Sequence, residues 1–180
     1  MFNLFKKKNK PEVKKIEPKS EIKKNIRPIV TNIKELHKPC EEVTKEDNIK
    51  DIIQCLKDTL ESKKGWGISA NQIGIQKKIS YIKVPKFIDK NKQMQYNEYV
   101  LINAKIIEKD RPSKVNNESC LSFPGIGVIT KRYVFCTVEY LNEKMESQTR
   151  VLQDLEALVV QHEVDHQLSI VLFDRKWRSK

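Results

Sequence analysis

At Asp154 the hydrophobic period of this chain changes, and that change limits the folds open to it. Upstream, Tyr133 to Leu141 alternates apolar and polar residues as a half-buried strand does, and a turn at Asn142-Glu143-Lys144 leads into a second strand, Met145 to Leu152. Downstream, Leu155, Leu158, Val159, His162 and His166 recur at helical spacing and fall on one face. Asp154 is the expected N-cap, and Glu156 suits the positive end of the helix dipole. Antiparallel hairpins followed by one apolar-striped helix predict an α+β fold, with antiparallel strands packed around a central helix.

The rest of the chain supplies the remaining pieces. Ile49, Ile52, Ile53, Leu56 and Leu60 predict an amphipathic helix over Asp47 to Leu60. A glycine-rich stretch follows at residues 65–74, then strands around Ile79 to Val84 and Tyr99 to Ile107. The polar runs Asp89 to Asn97 and Asp110 to Asn117 read as loops. No internal repeat is present. The net charge of +11 is concentrated near the start, where residues 1–27 hold ten Lys or Arg against three Glu. A segment this charged and this poor in apolar residues cannot offset its ordering entropy by burial. Residues 1–27 are therefore expected to form a solvated basic tail, able to touch RNA or an anionic surface, and residues 28–180 the folded domain. No apolar run is long enough to span a bilayer, and the start lacks the features of a secretory signal, so a cytoplasmic location is expected. That compartment disfavours disulfides, so Cys55 and Cys136, which lie on apolar faces, read as core.

The predicted helix ends in His162-Glu163-Val164-Asp165-His166, an H-E-x-x-H sequence. Histidines at this spacing project side by side and can bind one metal ion, and the intervening Glu163 can move a proton to and from a water there. A catalytic metal needs a third protein ligand. The short stretch after His166 has no His or Cys, so the ligand must come from upstream unless Asp165 or Asp174 serves. Cys120, within Glu118-Ser119-Cys120-Leu121-Ser122, is the best candidate as a soft thiolate donor. His37 reads as an ordinary surface residue.

Three stretches, in order, resemble the signature motifs of the peptide deformylases. Gly65 to Gln72 is similar to the glycine-rich motif, Glu118 to Ser122 to the E-G-C-L-S motif, and Gln161 to His166 to the Q-H-E-x-D-H motif. The resemblance covers roughly residues 28–175. It implies a metal-dependent hydrolase that removes the N-formyl group from formylmethionine on nascent polypeptides and releases formate. Cys120, His162 and His166 would hold one divalent metal, ferrous iron (Fe2+) in most members, with Zn2+, Ni2+ or Co2+ able to replace it. Glu163 would be the general acid/base, and the Gln72 amide and Leu121 N–H would stabilise the oxyanion. Gly65, Trp66, Gly67, Ile68, Leu155, Leu158 and Val159 would form or border the methionine pocket. Asp165 would orient a ligand histidine or a neighbouring basic group. A monomer is expected, with the ribosome as a possible partner of the basic tail.

The chain departs from the family pattern in two places near these residues. Ser119 stands where the motif has glycine and would be strained if the position requires positive φ. Trp66 is bulkier than a small aliphatic residue and would narrow the pocket. Two other readings compete: a zincin-like metallopeptidase, which shares H-E-x-x-H but takes its third ligand downstream, and an inactive homologue kept for binding metal or the ribosome.

Overall fold

The computed structural model describes residues 25–88 and 94–178. The expected mixture of helix and antiparallel sheet is present. A short helix α1 (Ile33–Leu36) and a long one, α2 (Ile49–Lys63), precede a five-stranded antiparallel sheet. Its strands β1 (Gly67–Ser69), β2 (Ile79–Ile88), β3 (Met94–Ser119), β4 (Gly127–Leu141) and β5 (Ser147–Gln153) lie side by side in chain order. Helix α3 (Asp154–Gln167) follows β5 directly and packs against all five strands.

Strand alternation divides the core between the two faces of this sheet. Ile79 and Tyr81 of β2, with Val100 and Ile102 of β3, join Ile53, Leu56 and Leu60 of α2 in one apolar cluster. Ile82, Val84 and Leu101 join Ala157, Val160 and Val164 of α3 in another. A third, smaller cluster gathers Leu36, Cys120, Phe123, Val128, Val171 and Leu172. Cys55 and Cys136 are buried in the first two clusters, and burial pushes the Cys136 thiol up to about 11, which suits a core residue.

Polar side chains fasten the non-repetitive segments. Asn103, at φ 51°, accepts from Val43 N and donates to Val43 O, both at 2.9 Å, tying the segment before α2 to β3. Gln161 of α3 brackets one residue of β4, accepting from Tyr133 N at 2.9 Å and donating to Tyr133 O at 2.7 Å. Residues preceding α1 are anchored too, since Asn25 N donates to Asp58 and Arg27 N to Thr59.

Three sequence expectations are corrected. The run Asp110 to Asn117 is strand, not loop, and forms the outer part of β3 opposite residues 128–135 of β4. Beyond the end of β5, which pairs Gln153 with Phe135, this part of β3 has no third strand beside it, and its mostly polar residues are exposed or half-buried, whereas Val128, Thr130 and Arg132 of the facing strand are buried on one face of the ribbon. Residues 94–97 are likewise strand, paired with residues 84–88, while residues 89–93 of that expected loop lie outside the described residues. Asp154 is the first residue of α3, at φ 51°, and the cap position falls on Gln153, which makes no side-chain cap bond. Asp is among the residues that tolerate this left-handed conformation, so it makes the sharp corner between β5 and α3.

Leu101, fully buried under α3, and Val151, exposed on edge strand β5, test this partition of the core. Leu101→Ala is expected to lower stability by about 2–5 kcal/mol and Val151→Thr by less than about 0.5 kcal/mol, read from urea midpoints.

Candidate metal centre

Three elements converge beneath the inner end of α3. His162 and His166 lie one turn apart on that helix, with ring centroids 5.0 Å apart. Cys120 immediately follows β3. Gln72 sits in the 3-10 turn Ala70–Ile73 that follows β1. One ligand atom each from Cys120, His162 and His166 come together within 4.8 Å of one another, and Cys120 Sγ is 3.3 Å from His166 Nε2. A thiolate and two imidazoles make a donor set that fits a borderline divalent metal with a coordination position to spare. Asp165 and Asp174, the alternatives for a third ligand, are engaged elsewhere: Asp165 by Arg132 and Arg175, Asp174 by His37. His37 lies on the surface as expected.

The histidines differ in their surroundings. Glu118 receives His162 Nδ1 at 2.6 Å, so the Nε2 side of that ring is the one turned toward the cluster. Burial works against a charge on His162, but hydrogen bonds with Cys120 and Glu118 push the ring up to about 10. His166 is held well below the usual histidine range, first by burial and then by repulsion from His162 and Arg132, and so keeps a neutral ring. Glu118 itself is opposed by burial, yet hydrogen bonds from His162 and Arg132 hold it far below the usual carboxylate range. Arg132, only 3% exposed, reaches Glu118 at 2.6 Å and Asp165 at 2.5 Å, and Arg175 closes on Asp165 at 2.7 Å. Thr130 also donates to Glu118. A bare cation in this position would be prohibitively costly, and two carboxylates with good geometry make it tolerable.

Glu163 is also buried, which raises its pKa, with His162, Ser69 and Arg132 opposing the rise. The Gln72 side chain, 1% exposed, is fixed at both ends: Oε1 accepts from Ser69 N at 2.9 Å, while Nε2 faces Cys120 Sγ at 3.3 Å and Ser122 Oγ at 3.2 Å. Leu121 follows Cys120 in a turn, and its N–H has no hydrogen-bond partner among the described residues.

A cleft of about 440 Å³ opens onto this cluster. Its walls include Gly65, Trp66, Gly67, Leu121, Leu155, Leu158, Val159, His162 and Glu163. The apolar stripe of α3 therefore lines a cleft and stays half-buried, whereas the fully buried face of the helix is formed by Ala157, Val160 and Val164. Ile68 is not part of the cleft. Alternation along β1 turns it, opposite Tyr81, into the α2 cluster, where it is fully buried. Trp66 stands half exposed at the rim. Ser119 ends β3 on the surface and is not among the positive-φ residues, so the feared strain is absent.

Residues 26–180 match the family described as polypeptide deformylase. The chain belongs to that family. The peptide deformylase of Aquifex aeolicus is 36% identical over 149 residues, covering 81% of this chain and 85% of that protein. The crystal structure of peptide deformylase from Thermotoga maritima superimposes with a TM-score of 0.72 at 30% identity, covering 84% of this chain and 97% of that one. A Met-Ala-Ser-bound peptide deformylase structure from Acinetobacter baumannii matches at 0.72 and 25% identity, over 83% and 98% of the two chains. The family is metal-dependent, and among the described residues Cys120, His162 and His166 form a group that could hold an ion.

Sequence reasoning missed Arg132, Arg175, Ser69, Ser80 and Ser122. Arg132, Arg175 and Ser80 stand outside the motifs and carry no periodic signal, while Ser69 and Ser122 lie within the motif stretches but their partners, Glu163 and Gln72, are remote in sequence. Asp165 proved to hold the two arginines, the second of the roles expected for it.

At Gly67 the cleft wall lies close against Glu163 of the helix. A Cβ there would lie 2.7 Å from Glu163 Oε1 and 2.8 Å from Cγ. Gly67→Ala is expected to displace the carboxylate and lower kcat/KM on a formylated peptide by roughly a hundredfold, with the protein still folded by circular dichroism. Arg132→Met is expected to cost about 3–5 kcal/mol of stability in urea unfolding, because it strands two buried carboxylates.

Proposed function

We propose that this chain removes the N-formyl group from the formylmethionine that begins nascent polypeptides and releases formate. The observation that carries the reading is the Cys120, His162 and His166 cluster, whose His162 lines, together with Glu163, a cleft that Trp66, Leu121, Leu155, Leu158 and Val159 also border. In this reading the leucines, Val159 and Trp66 receive the methionine side chain, and the formyl group reaches the floor.

Cys120, His162 and His166 would hold the ion, Fe2+ in our proposal, which when bound supplies Lewis acidity that makes water nucleophilic near neutral pH. Glu163 accepts the proton of the attacking water and returns it to the departing amine, a double duty suited to a carboxyl whose pKa burial has raised. The formyl oxygen gains negative charge as the carbon becomes tetrahedral. The unpaired Leu121 N–H and the Gln72 Nε2 are the donors we assign to it. Gln72 cannot titrate near neutral pH, and its carbonyl end is held by Ser69 N, so its donor end keeps one direction. Glu118 keeps the His162 ring in one tautomer, with Arg132 and Arg175 behind it.

The third-ligand position argues against the zincin-like reading, since Cys120 comes from upstream of the helix. Among the described residues no helix is long and apolar enough to cross a membrane. We place the enzyme in the cytoplasm, with a catalytic domain at residues 28–180 and a basic tail at residues 1–27 that touches the ribosome. The tail's residues 1–24 lie outside the described residues. Deleting them is expected to reduce co-sedimentation with ribosomes while formate release is retained; unchanged co-sedimentation would remove the tail from the proposal.

The decisive assay is formate release from formyl-Met-Ala-Ser by protein loaded with ferrous iron or nickel. The parent is expected to turn over. Glu163→Gln should lose at least about a hundredfold in kcat with metal content preserved, and Cys120→Ala should lose both metal and activity. A folded, metal-loaded parent that releases no formate would leave the inactive-homologue reading standing.

A further inference from the structure

Behind Glu163, on the side away from the cleft, lies a row of polar side chains in a place where apolar packing would serve. Ser69 of β1 and Ser80 of β2 are directly opposite across the strand pair, so both project from the same face of the sheet, toward α3. Their hydroxyls are 2.7 Å apart. Gln167, at the end of α3, reaches Ser80 Oγ at 2.9 Å, and Ser69 Oγ reaches Glu163 Oε2 at 2.6 Å. Ser69, Ser80, Gln167 and Glu163 are all buried, Glu163 at 3% being the most exposed of them. Burying three neutral polar side chains here is unfavourable unless each finds its partners.

The direction of these bonds follows from donor counting. Gln167 Oε1 accepts from Ala104 N at 3.0 Å, which fixes the amide orientation. Its Nε2 then spends its two hydrogens on Leu101 O at 3.0 Å and on Ser80 Oγ. Ser80, having accepted, has one proton to give, and Ser69 Oγ is its nearest acceptor. Ser69 in turn has one proton, and the nearest acceptor is the carboxylate. Apart from the bond that Gln167 Nε2 returns to Leu101 O, the bonds run one way, from Ala104 N of β3 through Gln167, Ser80 and Ser69 to Glu163 Oε2. Hydrogen bonds aligned in this manner polarise one another in the same sense.

The other carboxylate oxygen is placed differently. Oε1 lies toward Gly67, whose missing Cβ leaves it room on the cleft wall. We propose that Ser69 is a positioning residue for the deformylation reaction: oriented by Ser80 and Gln167, it anchors Glu163 Oε2 and leaves Oε1 as the oxygen that handles the proton. This rests on the function proposed above and deepens it. Without the anchor the carboxylate can rotate about its last bond, a terminal torsion with a broad and shallow profile, and Oε1 loses its fixed aim. Neither hydroxyl is hydrogen-bonded to Cys120, His162 or His166, and it is at Glu163 that the Ser69 hydroxyl meets the candidate site.

The test is a double-mutant cycle on the metal-loaded full chain: parent, Ser69→Ala, Ser80→Ala and the double variant, with kcat and KM measured for formyl-Met-Ala-Ser and metal content measured for each. Ser69→Ala is expected to lower kcat roughly tenfold, the worth of one hydrogen bond to a charged group, with KM and metal content unchanged. Ser80→Ala should have a smaller effect. The double variant should be no slower than Ser69→Ala, because Ser80 has nothing to act through once Ser69 is gone. Ser69→Thr, which keeps the hydroxyl, should recover most of the rate. A crystal structure of Ser69→Ala should show the Glu163 carboxylate turned or divided between orientations. The proposal is overturned if Ser69→Ala retains the parent's kcat, or if the losses in the two single variants multiply in the double. An active parent with an unaffected Ser69→Ala would sink this inference alone, whereas a parent releasing no formate would sink the activity and this inference together.

Discussion

The site depends on one buried cation. Arg132 leaves β4 and lies between Glu118, near the end of β3, and Asp165, on α3. A guanidinium taken out of water must be paired on both sides, so this one residue holds two strands and the helix at a set separation. Glu118 then passes that constraint to the His162 ring, and Arg175 extends it to the segment after α3. Cys120 is the residue that follows the Glu118-Ser119 end of β3, so the same ion pairs that orient the histidine also place the thiol. Ligand geometry here is a consequence of charge pairing several bonds away from the ligands.

Helix α3 serves two kinds of neighbour at once. On one side Ala157, Val160 and Val164 are small or β-branched and allow the helix to lie close on the sheet. On the other, Leu155, Leu158 and Val159 remain half-buried along a cleft. At its inner end the helix buries Gln161, Glu163, Asp165, His166 and Gln167 almost completely, which a free-standing amphipathic helix would not do. Each of these residues has a specific partner from another element: Tyr133 for Gln161, Ser69 for Glu163, the arginines for Asp165, Cys120 for His166 at Nε2 though its Nδ1 has none among the described residues, and Ser80 with the β3 backbone for Gln167. Polar burial of this density gives a rigid site at the expense of apolar contact.

The outer ribbon shows how composition misleads. Asp110 to Asn117 contains charges, a proline and two asparagines, and composition alone reads this as loop. It is strand because β4 supplies backbone partners along its length, with register shifts and the positive-φ residues Arg111 and Asn117 absorbing the irregularities. Polarity in a strand reports exposure, and residues 110–117 are exposed or half-buried because only one face of the ribbon is covered, by packing around Val128, Thr130 and Arg132 of β4. The same reasoning applies at residues 94–97.

By itself, the sequence determined the local matters: where the period changes from strand to helix, and that His162 and His166 share a helix face with Glu163 between them, while Cys120 as third ligand and the glycines bordering the site were drawn from the resemblance of three motifs to a known family. The first two are legible because a helix or strand converts spacing along the chain directly into spacing in space. Only the tertiary structure decided what pairs across distance: that Ile68 faces the α2 core while its neighbour Gly67 faces Glu163, that Asp165 holds arginines and no histidine, and that Ser69, Ser80 and Gln167 end on one carboxylate oxygen. Such contacts join residues far apart in the chain, Ser69 and Glu163 lying 94 positions apart. Their partners are selected by the burial of charge and by hydrogen-bond counting in three dimensions, and a single chain leaves no periodic trace of either.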